Sequence, residues 1–350
     1  MRRILPIFFG AVLLMSITVA SAQVKGLFAQ PDAPQTHLTN GVLNVTLYLP
    51  EVNKGFYRGT RFDWAGVIGH LDYAGHNYYG PWFTKTDPYV FDFVYRDNDI
   101  VASPCSAAVG PVEEFFTRNK ALGFDEAAPG GTFIKIGVGV LRRPDGKDYS
   151  SYIQYPIVDA GRRSTSIHTE HVSFTQDVND PASGYGYHYV KTIRLIAGKP
   201  EMIIEHTLTN TGKKLIDSDV FDHNFLSLDK LPIGPALKIS LPFQLKAEHI
   251  DGPTLGGIDG NQLFYRKPLE GHESFAAILS GFGAAPADYN IRVENTDAHA
   301  GLSISGDKPL SHLEFWSIRS VAAIEPFVHI SIKPGESFSW QYHYTYFTLP

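Results

Sequence analysis

Cysteine is almost missing from this chain: Cys105 is the only one among 350 residues. No internal disulfide is possible, so a buried apolar core must hold the fold, and the length is ample for one. Cys105 itself has no His or Lys near it in sequence and reads as a buried, inert thiol. No basic run occurs after the first residues, and the formal net charge is -6. Nucleic acid is therefore not expected as a partner. No apolar stretch beyond the N-terminus is long enough to span a membrane. The chain has no P-loop, no dinucleotide fingerprint and no Gly-x-Ser-x-Gly elbow, and no cofactor is expected. Heptads, internal repeats and low-complexity segments are also missing.

The first residues are of a different kind. Met1-Arg2-Arg3 precedes an apolar run from Ile4 to Val19, which ends in Ala20-Ser21-Ala22. A basic start, a short apolar stretch and small residues at -3 and -1 describe a signal peptide, with cleavage expected after Ala22. The mature chain is then expected to be secreted or periplasmic, with no membrane attachment after cleavage. Residues 23–350 are expected to form a single domain.

Aromatics are plentiful: 18 Tyr, 23 Phe and 4 Trp, alongside 32 Gly and 23 Pro. That balance favours strands and turns over helices. Leu43, Val45, Leu47 and Leu49 alternate with polar residues, as a half-buried strand does. The same period of two recurs over 130–141, 165–175, 187–196 and 202–210, and in shorter runs to the C-terminus. In the last run, 337–347, it places Phe338, Trp340, Tyr342, Tyr344 and Tyr346 on one face, a pattern suited to packing one sheet on another. Only 112–122 has any helical character. Residues 51–80 read as long loops. The fold class expected from this pattern is all-β, a large antiparallel β-sandwich.

Two stretches carry more than pattern. Asp222-His223-Asn224-Phe225-Leu226-Ser227-Leu228 follows a strand and a Gly-Lys-Lys turn. Ala322 to Trp340 contains Ile324-Glu325-Pro326-Phe327 and the turn Lys333-Pro334-Gly335-Glu336. Together, in this order, they resemble the galactose mutarotase-like (aldose 1-epimerase) superfamily from about residue 40 onward. Its Asn-His-x-Tyr-Phe-Asn-Leu motif is matched at His223 and Leu228, with Asp222 in place of the Asn. The resemblance implies a twisted supersandwich, a small carbohydrate substrate and an isomerase that interconverts anomers of a free sugar. It also implies Glu325 as base and His223 as acid. Opening a cyclic hemiacetal needs one proton taken from the anomeric hydroxyl and one given to the ring oxygen. The two groups are expected to face each other across a sugar-sized gap, too wide for a direct hydrogen bond.

The substrate-binding residues expected from the same comparison are Arg61 in Tyr57-Arg58-Gly59-Thr60-Arg61, His76 in Ala74-Gly75-His76, and Asp222. Trp64 and Trp82 are the aromatics expected to stack on a sugar. For each, ordinary loop packing is the competing reading. Metal ligation is not expected: His168 and His171 on one strand would point to opposite faces. Glu113 and Glu114 are adjacent and would not face one another as a glycosidase pair does. Two other functions remain open: a lyase or hydrolase on the same fold, and a non-catalytic carbohydrate-binding protein. The oligomeric state is not legible.

Overall fold

The computed structural model describes residues 32–117 and 119–350. The expected signal peptide and its cleavage site lie outside the described residues. Two antiparallel sheets dominate. The larger has ten strands, beginning with the meander Arg162–Ile167, His171–Asp180, Tyr185–Leu195 and Glu201–Asn210. The C-terminal strand Ser337–Thr348 lies beside Glu201–Asn210 and links this meander to the sheet's other half. The smaller sheet has six strands in the order Lys246–Asp251, Ser274–Ser280, His312–Ile318, Val321–Ile332, Ile216–Phe225 and Gly110–Phe116. The structure is thus all-β, as the alternation indicates.

Strand residues sort by parity. In Glu201–Asn210, Met202, Ile204, His206, Leu208 and Asn210 are buried while the residues between them are half-buried. The facing side of Ser337–Thr348 contributes Trp340, Tyr342, Tyr344 and Tyr346 to the space between the sheets. Gly212 makes the turn after Glu201–Asn210 possible, because a Cβ there would lie 2.5 Å from the Gly186 backbone nitrogen.

The six-stranded sheet breaks this parity, and the break locates the site. Every residue from Val220 to Phe225 is buried, as is every residue from Val321 to Val328. A strand buried on both faces needs a cover on each. One face packs on the ten-stranded sheet. The other is covered by the N-terminal segment, which adds a second core built on Phe56, Tyr57, Phe62, Trp64 and Trp82. Within 51–80, residues 55–66 are therefore irregular in path but packed, and Val67–Tyr73 pairs with His76–Asn77 as strands, in place of the open loops expected. The helical reading of 112–122 is also overturned: Gly110–Phe116 is an edge strand paired with Ile216–Phe225. Residues 165–175 span a hairpin rather than one strand. Its turn brings the His168 and His171 rings into a stack 4.2 Å apart, not to opposite faces.

Candidate active site

Alternation along Ile216–Phe225 separates its functional residues. Asp222 and Asn224 point between the two sheets, whereas Phe221, His223 and Phe225 point to the covered face of the six-stranded sheet. The neighbouring strand supplies Glu325. Phe221 pairs with Phe327, and the bridge Leu226 to Ala322 keeps the same register. That register sets His223 directly opposite Glu325. Between these pairings Pro326 has no N–H to give the ladder. The His223 Nε2 and Glu325 Oε1 atoms are 3.3 Å apart. This corrects the expectation of a sugar-sized gap. Cross-strand partners on one face stand with their Cβ atoms about 5 Å apart, too close for a ring to lie between them.

The pair lies at the wall of a cavity of about 290 Å³. Trp82, Phe225 and Trp316 supply its aromatic side, and Trp82 stacks on Phe225 with ring centres 5.7 Å apart. His223 stacks on Phe225 at 3.8 Å and meets the Phe62 ring edge-on at 5.4 Å. The polar side is Arg61, Asp92, Tyr152, Glu314, His249 and Asp251. Glu314 is the cross-strand partner of Glu325 on its other flank. A second cavity, about 430 Å³, adjoins the first and shares Arg61, Tyr152, Ile278, Glu314 and Glu325 with it.

Burial sets the charge state of the pair. Glu325 is 6% exposed, and loss of solvent, reinforced by the Glu314 carboxylate, pushes its carboxyl up to about 8. Loss of solvent also holds the His223 imidazolium well below its ordinary range, with Arg61 adding to the effect. At neutral pH the pair therefore holds one transferable proton, on Glu325, beside a neutral imidazole. His223 Nδ1 is buried and has no protein partner. Arg61 is anchored rather than free: its Nε donates to Glu114 at 2.6 Å, and Lys135 Nζ donates to the other oxygen of Glu114 at 2.9 Å. The Arg61 guanidinium also lies over the Phe62 and Tyr152 rings.

Of the residues expected to bind substrate, Arg61 and Trp82 line the cavity together with His223 and Glu325. Three others do not. Asp222 faces the inter-sheet core, where it accepts a hydrogen bond from the Tyr344 hydroxyl, and burial raises its carboxyl to about 8. One residue's difference in parity removes it from the site. His76 sits on a short strand and is held by Asp229 at 2.8 Å. Trp64 is buried, gives its indole N–H to the Gly59 carbonyl and carries Arg163 over its ring.

Among the cavity residues that sequence reasoning did not single out are Asp92, Tyr152, His249, Asp251, Glu314 and Trp316. Glu314 and Trp316 had a legible signal: both lie two apart on a strand that alternates with apolar residues. Asp92 and Tyr152 sit on loops and had none. Glu113 and Glu114 do face opposite ways. Glu113 bonds Lys191 and His206 between the sheets, and Glu114 bonds Arg61 and Lys135 on the covered face.

No protein-family model matches the chain, and no curated protein matches it by sequence. Solved structures do match in fold. The GalM/aldose epimerase homologue from C. elegans superposes with a TM-score of 0.52 over 91% of this chain and 100% of its own, at 14% identity. The Slr1438 protein from Synechocystis sp. PCC 6803 gives 0.51 over 92% and 98%, at 11% identity. A galactose mutarotase-like protein from Lactobacillus casei ATCC 334 gives 0.50 over 89% and 100%, at 12% identity. The chain therefore has the galactose mutarotase-like fold.

Proposed function

We propose that this is an exported sugar-processing enzyme that interconverts the anomers of a neutral aldose, an aldose 1-epimerase-like isomerase. The observation that carries the reading is the His223–Glu325 contact in an aromatic-walled cavity, with one proton between the two groups. The ring oxygen and the anomeric hydroxyl of a pyranose are bonded to the same carbon. Two catalytic groups side by side can therefore address both, and a position on opposite sides of the sugar is not needed. In the resting charge state Glu325 is the donor and His223 the acceptor, the reverse of the assignment made from the motif. The Glu325 carboxyl protonates the ring oxygen while His223 Nε2 takes the anomeric hydroxyl proton. The C1–ring-oxygen bond breaks and an aldehyde forms. After rotation about C1–C2, the same two protons return by the reverse path and the pair is restored.

The cavity chemistry supports a neutral sugar over a phosphate or uronate. Among the described residues, Arg61 is the one Lys or Arg side chain lining the cavity, and Glu114 already holds it. Asp92, Asp251 and Glu314 bring negative charge to the same wall. The basic start, apolar run and small-residue end of residues 1–22 support export to the periplasm or the medium. The experiment is saturation-transfer NMR on a panel of free hexoses and pentoses with their 6-phosphates and uronates. The expected result is anomer exchange in neutral sugars only. Exchange confined to phosphorylated or acidic sugars would refute the substrate class, and no exchange in any member would refute the isomerase.

A second reading has one specific observation behind it. Glu314 and Glu325 are cross-strand partners, so their Cβ atoms stand about 5 Å apart. A retaining glycosidase likewise uses two neighbouring carboxyl groups, one as acid/base and one as nucleophile. Release of the phenol from aryl glycosides, lost in both Glu314→Gln and Glu325→Gln, would favour hydrolysis over anomer exchange.

A further inference from the structure

The geometry points to a second sugar subsite: the cleft takes a reducing disaccharide, with the reacting unit in the smaller cavity and the attached unit in the larger. This rests on the reading of the site as a sugar site, and it names the substrate class. The two cavities lie in sequence along the strands on one face of the six-stranded sheet. Along His312–Ile318, His312 lines the larger cavity, Glu314 lines both, and Trp316 lines the smaller. Along Ile216–Phe225, Phe221 belongs to the larger, and His223 and Phe225 to the smaller. Same-face residues recur about every 7 Å along a strand, so His312 to Trp316 spans about 13 Å. That length suits two linked pyranoses rather than one.

Each end has its own aromatic floor, which is what a sugar's apolar face requires. In the smaller cavity the floor is Phe225 and Trp316. In the larger it is Phe221 stacked on Phe327 at 4.4 Å, with Phe116 stacked on Phe221 at 5.7 Å. Polar groups for hydroxyls also stand at both ends: Asp92 at one, His312, Ser311 and Asn119 at the other. Glu325, Glu314 and Arg61 form the sill between them. A single hexose would leave the larger floor empty.

The sill also orients the disaccharide. The reacting C1 and ring oxygen must lie against Glu325 and His223, so the positions nearest the larger cavity are those flanking C1 and the ring oxygen. These are C2 and, beyond C5, C6. C4 is across the ring and points away. The attached sugar is therefore joined through O2 or O6 of the reducing unit.

The test uses isothermal titration of the full mature chain with glucose, kojibiose (1→2), isomaltose (1→6) and maltose (1→4), and in parallel with galactose and 6-O-galactosylgalactose. A rim variant, Ser311→Trp, narrows the larger cavity from an exposed position. The expected result is at least a tenfold tighter Kd for a 1→2 or 1→6 disaccharide than for its monosaccharide, no such gain for maltose, and loss of the gain in Ser311→Trp. Equal affinity for monosaccharide and disaccharide, an equal gain for maltose, or a gain that survives Ser311→Trp overturns the proposal. Phe327→Leu, which keeps an apolar side chain in the floor, serves as the second variant and should also reduce the gain. Binding is read separately from turnover. A disaccharide gain without anomer exchange would sink the isomerase reading and leave the subsite standing.

Discussion

Replacing Glu325 with Gln should make the protein more stable while removing its activity. The perturbation keeps the volume and deletes the titration. Glu325 is buried, and its carboxyl is raised from 4.5 to about 8. Below pH 4.5 the group is protonated in both folded and unfolded chains and contributes nothing. Between 4.5 and 8 the unfolded chain releases the proton and the folded chain keeps it. Stability therefore falls as pH rises through that window, and above 8 the full loss is present. At ~1.4 kcal/mol per pH unit, the interval from 4.5 to 7 corresponds to about 3 kcal/mol at neutral pH. Gln carries no such penalty. Urea unfolding at pH 5, 7 and 9 should show a Glu325→Gln advantage that is small at pH 5 and grows to pH 8. Turnover by saturation-transfer NMR should fall by about 10²–10⁴. A variant less stable than the parent at pH 7, or one that keeps the parental exchange rate, would refute the charge state assigned to the pair.

Further outcomes follow from the same geometry. Activity against pH should fall on the alkaline side near pH 8 as Glu325 ionises, and on the acid side only well below the ordinary histidine range, where His223 is forced to take a proton. The ¹⁵N shifts of His223 at pH 7 should be those of a neutral ring, and an imidazolium signal would return the roles to those expected from the motif. Arg61→Met should cost up to about 3–5 kcal/mol in urea unfolding, because it strips one of two cations from the buried Glu114. An unchanged midpoint would show that Lys135 suffices alone. Tyr344→Phe, which removes the donor to Asp222, should cost about 1–3 kcal/mol and leave anomer exchange within a few-fold of the parent. A large loss of exchange with no loss of stability would place Asp222 in the chemistry after all. N-terminal sequencing of exported protein should begin at Gln23, and a retained Met1 would remove the export reading.

The reach of the sequence can be judged from individual residues. The aromatic ladder of the last strand was legible because period-two burial is a local property, and Trp340 through Tyr346 do fill the inter-sheet space. The same rule, applied to Asp222 beside His223, assigns them to opposite faces, and resemblance to a motif had overridden it. Residues 51–80 defeated local reading for a different reason. Their burial comes from covering the second face of a sheet whose strands, apart from Gly110–Phe116, all lie beyond residue 215. The sequence signs of that cover were in the strands themselves, in the unbroken apolar run Val321-Ala322-Ala323-Ile324.

Charge was the least legible feature. Arg61 looked like a free sugar-binding cation, and the structure turns it into the anchored partner of Glu114. Glu113 and Glu114 differ by one position but serve two separate networks. Burial raises the charge cost of Glu113, yet Lys191 and His206 outweigh it and hold that carboxyl down at about 2. Glu325 has no such cation of its own. The contrast explains how one small sheet carries an ionised carboxylate on its inner face and a protonated one on its outer face. The difference lies in which side chains arrive from other strands: the Lys191 cation and His206 from the ten-stranded sheet for Glu113, and the Glu314 carboxylate with an uncharged His223 beside Glu325. A lysine at position 314 should therefore bring Glu325 back toward the ordinary carboxylate range. Glu314→Lys would then lose exchange at pH 7, because its Glu325 would hold no proton to donate, and would move the alkaline limb of the pH profile to lower pH. An alkaline limb that stays near pH 8 in Glu314→Lys would show that it belongs to a group other than Glu325.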